Sequence, residues 1–380
     1  MIPYDGTLNS WQMTTEEFID GFFENIIPQV VGDYSTYIAG KIFYPLVGKT
    51  TIILWDGEQK RVVPVEEIAQ WVDSSEITKI PVFDTSDFRN LDARYRQHAR
   101  EKARETVVLF HANAMTCDNM KEWGDFYFDQ GYDVLMPTIG GYPGSDPVEV
   151  CEASTYQDVE GILLFLQNHG VTRAGYHGLS IGACLALQAA VGPTATTKVA
   201  TTFVVADQPF NTGVEVASNF ICNRGHSFAS SLAKGTARAA LPCDQIISLG
   251  DKIKIVTDGL DNIKKVKLLK ELGIPFLIIE SSHDMIMGLE GNEEGGFLSN
   301  LAEELLLTRY DAIEDADQNR IVLSGEHCSF FGDNEQARAL VMKFAASFMP
   351  IKIDPATVKE DLAIRLSAHL GIESKGKTIL

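Results

Sequence analysis

Between about residues 106 and 350, short β-rich runs alternate with helical stretches, and nothing else in this chain constrains its fold as strongly. The runs fall at 106–110, 132–136, 173–177, 199–206, 275–280 and 320–324, and most are apolar through their centres, as strands buried on both faces must be. Between the second and third, Val159, Ile162, Leu163 and Leu166 fall at i, i+3, i+4 and i+7, one helical stripe within 155–169 that Gly170 should stop. The pattern predicts an α/β chain with a mostly parallel central sheet flanked by helices.

The first 105 residues do not continue the alternation. They predict a helix at 14–25, a hairpin in which 50–55 and 59–65 flank Asp56-Gly57, and an extended pair at 79–83 and 91–96 that supplies the antiparallel edge of the main sheet. The stretch 207–272 is the longest interruption between two core strands, well beyond a usual connection plus one helix, and it reads as a lid ending in a covering helix at 260–272. The expected division is an N-terminal extension at 1–78, a core at 79–350 with its lid at about 208–260, and a C-terminal helix and tail at 351–380.

Chemistry concentrates where the third run meets a helix. Residues 173–177 lead into Gly178-Leu179-Ser180-Ile181-Gly182 and then into a small-residue helix at 183–190, so a strand, a G-x-S-x-G turn and a helix follow one another. Glycines at both flanks let strand and helix approach closely around a turn that strains the serine backbone and projects its hydroxyl. Ser180 also sits at a helix N-terminus, where N–H groups favour developing negative charge.

A serine hydroxyl is a weak nucleophile and needs a base, itself oriented by an acid. Ser281-Ser282-His283-Asp284 follows the strand at 275–280, and Gly325-Glu326-His327 follows the strand at 320–324. The candidate set is Ser180, Asp284 and His327, with Asp207 and Glu280 as rival acids. For the oxyanion hole the candidates are the amide of Ile181 and a second donor from Asn113, in the loop His111-Ala112-Asn113-Ala114-Met115 after the first run; His111 reads as a buttress of that loop. Acyl transfer to Ser180 would need no metal or cofactor.

Charge and composition close off other classes. With 32 basic and 52 acidic residues the net charge is −20, which repels polyanions and argues against a nucleic-acid partner or docking on anionic lipid. No run approaches the length of a membrane span, and Glu16, Glu17 and Asp20 stand where an export signal would forbid them, so a cytoplasmic chain is expected. The six cysteines show no C-x-x-C pair or zinc-finger spacing and read as reduced thiols, with Cys184 and Cys328 in packing roles. His177 reads as a buried strand histidine, the four tryptophans as packing anchors, and Glu290, Glu293 and Glu294 as a solvated loop.

On the stretches 106–115, 133–146 with its Pro-Thr-Ile-Gly-Gly-Tyr-Pro-Gly-Ser-Asp run, Gly178 to Gly182, His283-Asp284 and Glu326-His327, residues 80–350 resemble the α/β-hydrolase superfamily. That family places its triad in the order Ser, acid, His, the order found here. The loop His111-Ala112-Asn113-Ala114 is similar to the His-Gly-Asn-Ala form of lipase, lysophospholipase and peptidase-like members, with Ala112 in place of glycine. The N-terminal extension and Leu91-Asp92-Ala93 are similar to SidB-type bacterial effector hydrolases, which implies a lipase translocated into a host cell. The resemblance implies a small-molecule or lipid ester as substrate, with peripheral membrane contact through the lid. Peptidase, thioesterase and non-catalytic binding versions of the fold stay open.

Overall fold

A computed structural model of the protein describes residues 49, 51–56, 59–64, 67, 76–83, 88–98, 105–113, 115–148, 150–192, 198–211, 213, 260–281, 320–323 and 327–351. The predicted helix at 14–25, most of the lid and the C-terminal tail lie outside them.

Two strands, β1 (Thr51–Asp56) and β2 (Gln59–Pro64), form the expected antiparallel hairpin. Its register sets Asp56 against Gln59, so Asp56 closes the first strand instead of forming the turn. The extended pair becomes β3 (Ile77–Phe83) and β4 (Phe88–Arg96), followed by β5 (Glu105–Phe110), α1 (Lys121–Asp129), β6 (Asp133–Pro137) and α2 (Glu152–Asn168). Then come β7 (Arg173–Leu179), α3 (Ile181–Val191), β8 (Ala200–Asp207), α4 (Asn262–Leu272), β9 (Phe276–Ser281), β10 (Arg320–Leu323) and α5 (Glu335–Phe348).

Eight strands make one sheet in the order β10-β9-β8-β7-β5-β6-β4-β3. β5 to β10 pair in parallel, while β4 runs antiparallel to both β6 and β3. Every described side chain of β6 and β9 is buried, because helices cover both faces of the parallel part. One apolar layer holds the α2 stripe, where Val159, Ile162, Leu163 and Leu166 are all buried, together with α3 and part of α4. The other joins α1 and α5 through Trp123, Phe126, Tyr127, Leu340 and Val341. Full burial of side chains of this size contributes about 2 kcal/mol each.

Local signals set the helix ends. Gly170 at φ 75° ends α2 and Gly273 at φ 66° ends α4, backbone conformations that cost a side chain dearly. In α4, the covering helix expected at 260–272, Val266 and Leu269 are buried and Ile263 is half-buried, whereas Leu268 and Leu272 are exposed. The buried row is completed by Asn262 and Lys265, which reach α3: Asn262 Nδ2 donates to Cys184 Sγ at 2.9 Å and Lys265 Nζ donates to the Cys184 carbonyl at 3.3 Å. Burial pushes the Cys184 thiol up to about 11, which keeps it a packing group. Asn262 also ties the two ends of the intervening insertion together, donating from its backbone to Asn211 O at 2.8 Å and from Nδ2 to Phe210 O at 2.7 Å.

The strand order, the antiparallel second strand and a serine turn after the fifth strand of the sheet together are the α/β-hydrolase fold.

Candidate active site

Ser180 links β7 to α3 as the helix N-cap, with φ 56° and ψ −117°, a conformation that side-chain-bearing residues rarely adopt. Its backbone N–H donates to the Asp207 carbonyl at 2.8 Å and its own carbonyl accepts from Ala183 N at 2.9 Å, so both sides of the strained residue are fixed. The flanking glycines make the turn possible. A Cβ on Gly178 would lie 1.9 Å from Gly182 O, and one on Gly182 would lie 2.2 Å from Phe110 O. Strand, turn and helix touch backbone to backbone there, which is the physical content of the G-x-S-x-G spacing.

His327, distant in sequence, arrives from beyond β10 and sets Nε2 2.9 Å from Ser180 Oγ. A neutral imidazole at that distance accepts the serine proton. Cys328 follows at φ 65°, and its N–H donates to Gln208 Oε1, while Gln208 Nε2 donates to Ser329 O at 3.2 Å.

Asp284 lies outside the described residues. Its two rivals are engaged elsewhere. Asp207 is fully buried, where Oδ2 accepts from His177 Nε2 at 3.2 Å and from Trp123 Nε1 at 3.3 Å, with Tyr127 Oη on the far ring nitrogen at 2.8 Å. Burial holds the Tyr127 phenol well above its ordinary pKa, so it stays a neutral donor. Glu280 takes the Arg320 guanidinium, Nε to Oε2 at 2.6 Å. His177 is thus a buried strand histidine, as expected, and its partners fix the carboxyl end of β8.

Ile181 is the first residue of α3, so its amide has no intrahelical acceptor. Asn113 follows β5, and the loop holding it is braced by the turn after β6. His111 Nε2 accepts from Ile139 N at 3.2 Å and Nδ1 donates to Ala112 O at 2.8 Å. Because a backbone N–H can only donate, the proton must sit on Nδ1. Burial lowers the His111 pKa to about 4, against the Ala112 bond, which keeps the ring neutral. Tyr142 Oη donates to Asn113 Oδ1 at 3.2 Å, and Thr138 Oγ1 accepts from Cys117 N at 2.9 Å. Ala112 is fully buried, so the core accommodates the methyl group that replaces glycine.

Sequence reasoning named Ser180, His327, Ile181 and Asn113 but gave no role to Gln208, Tyr142 or Tyr127. Tyr142 stood only within the run that carries the family resemblance, and a glutamine after a strand has no local signal.

One further cluster has the donors for a metal, since ligand atoms of Asp92, Cys117 and Asp118 lie within 4.8 Å of one another. The Arg94 guanidinium fills it, donating to Asp92 at 3.0 Å and to both Asp118 oxygens at 2.9 and 3.0 Å, while Lys79 Nζ approaches Asp92 at 3.1 Å. Burial pushes the Cys117 thiol well above its ordinary range, and the Arg94 guanidinium beside it only partly offsets this. Among the described residues no helix is long and apolar enough to cross a membrane.

No protein-family model matches the chain, and no curated protein matches it in sequence. Solved structures do resemble it. An α/β hydrolase from Vibrio vulnificus is 16% identical with a TM-score of 0.49, over 83% of this chain and 92% of that one. An esterase from Pyrococcus furiosus is 13% identical with a TM-score of 0.48, over 79% of this chain and 98% of that one. A thioesterase domain from the curacin biosynthetic pathway is 12% identical with a TM-score of 0.40, over 71% of this chain and 97% of that one.

Proposed function

We propose that the protein is a serine hydrolase that cleaves carboxylic esters through an acyl-enzyme on Ser180. The observation that carries this is the 2.9 Å approach of His327 Nε2 to the hydroxyl of a serine held at φ 56° at a helix N-terminus. His327 takes the Ser180 proton as the oxygen attacks the ester carbonyl, then returns it to the departing alkoxide; water repeats the cycle to release the acid. Amides of Ile181 and Asn113 receive the oxyanion, and Asp284 orients the imidazole. None of these steps calls on a metal or cofactor.

The substrate we propose is an acyl ester of a lipid or lysophospholipid. Val214, Val216, Phe220, Ile221 and Phe228, in the insertion between β8 and α4, form a segment whose apolar side chains suit an acyl chain better than a charged peptide. With Cys117, Cys151, Cys184 and Cys328 free, a reducing interior such as a cytosol is the compartment we propose.

Hydrolysis of p-nitrophenyl esters from acetyl to palmitoyl, by the wild type and Ser180→Ala, tests both parts. We expect activity that peaks at long chains and falls at least ~10³-fold in the variant. Activity retained in Ser180→Ala would overturn the nucleophile assignment, and a short-chain optimum would overturn the lipid substrate.

A further inference from the structure

We infer that Gln208 is a positioning residue that holds His327 in register with Ser180, an inference that rests on the serine-hydrolase reading above. The dipeptide Asp207-Gln208 at the end of β8 bonds the nucleophile on one side and the backbone next to the base on the other. On one side the Asp207 carbonyl accepts the Ser180 N–H at 2.8 Å. On the other, the Gln208 side chain grips the backbone just after the base: Oε1 accepts from Cys328 N and Nε2 donates to Ser329 O at 3.2 Å. Gln208 is itself anchored, donating from its backbone to Ile279 O at 2.6 Å, and it sits at φ 51° with 1% of its surface exposed.

The segment that carries His327 has no strand or helix of its own at 327–330. A loop of this kind keeps a base within hydrogen-bonding distance only through specific polar ties. Gln208 supplies two, and only one amide orientation satisfies both, because Cys328 N can only donate and Ser329 O can only accept. Glutamate could meet the first partner, but its ionised carboxylate would face the Ser329 carbonyl. Methionine, of similar length, could meet neither. The strained backbone at Gln208 fits the same role, since it turns the chain at the strand end so that its side chain reaches the loop.

The test compares Gln208→Met and Gln208→Glu with the wild type on a p-nitrophenyl ester, with turnover expressed per active site titrated by a fluorophosphonate. We expect Gln208→Met to lose ~10²-fold in kcat per titrated site with KM within a factor of about three, since a base displaced by 1 Å costs rate and not binding. Gln208→Glu should lose ~10-fold at pH 8, and its rate relative to the wild type should rise toward pH 5, where the protonated carboxyl regains a donor for Ser329 O. A purely structural role would lower the number of titratable sites and leave turnover per site unchanged. Wild-type turnover per site in either folded variant overturns the inference while the hydrolase reading stands. If Gln208→Met does not fold, Gln208→Glu decides alone. A wild type that neither hydrolyses the esters nor labels overturns the hydrolase reading and this inference with it.

Discussion

Ser180 holds a backbone conformation that costs about 1–3 kcal/mol and survives only because its surroundings over-determine it. The bonds to Asp207 O and from Ala183 N do so, as does the contact of Gly178 and Gly182 with neighbouring backbone. Gly182 is the sharpest probe, since a new Cβ there would meet Phe110 O at 2.2 Å and His111 O at 2.6 Å, both main-chain atoms that cannot swing aside. Gly182→Ala should lower the unfolding free energy by about 3 kcal/mol in urea melts. It should also cut ester turnover by at least ~10²-fold, because the displaced atoms lead into the loop bearing Asn113. A variant of wild-type stability would show that the turn has slack. Tyr142 acts at the same scale by holding the Asn113 side chain, a link between residues that no sequence period connects.

At the scale of elements, a buried ion pair joins β4 to α2 and to the turn after β6. Arg89 Nε and Nη2 donate to Asp158 Oδ1 at 2.9 and 2.7 Å, Nη2 also donates to Ser154 O at 2.9 Å, and Asp158 Oδ2 accepts from Gly140 N at 2.8 Å. Removing Arg89 leaves the buried Asp158 carboxyl without its guanidinium partner, so Arg89→Met is expected to cost about 3–5 kcal/mol in a urea melt. The double variant Arg89→Met/Asp158→Leu should recover most of that, because two apolar groups of similar volume dispense with the desolvation of both charges. If the double variant loses the sum of the single losses, the pair is worth more than its desolvation and the expectation fails. The elements themselves were legible from period and apolarity. The pair was not, because Arg89 sits within a strand whose alternation would put a charge in solvent, and its partner is 69 residues away.

Two buried groups give the whole molecule a pH response of opposing signs. His111 titrates at about 4 instead of 6.5 because burial disfavours its charged form, so its contribution to stability is full above pH 6.5 and is lost as the pH falls toward 4. Asp158 titrates at about 6 instead of 3.8, through burial that outweighs Arg89, so its contribution grows as the pH falls from 6 toward 3.8. Each is worth about 3 kcal/mol over its window, and the two largely cancel. Urea midpoints from pH 7 to 4 should separate them. The stability difference between the wild type and His111→Gln should shrink by about 3 kcal/mol on acidification, and that between the wild type and Asp158→Asn should grow by about as much. Differences that do not move with pH would place both groups at their ordinary values.

The sequence by itself determined the strands at 106–110, 132–136, 173–177, 199–206, 275–280 and 320–324, the helix end at Gly170 and the serine turn. All are local: a few neighbouring residues fix burial on two faces, a left-handed cap or a close approach of main chains. Only the tertiary structure decided which groups meet across the sheet. It set His327 against Ser180 over a separation of 147 residues, committed Asp207 to His177 and Trp123, filled the Asp92–Asp118 cluster with Arg94, and put the Gln208 amide against the backbone at Cys328. Polar pairs of this kind rest on angles and distances of a few ångströms that the crossing of strands imposes, and such geometry leaves no period or composition in the chain.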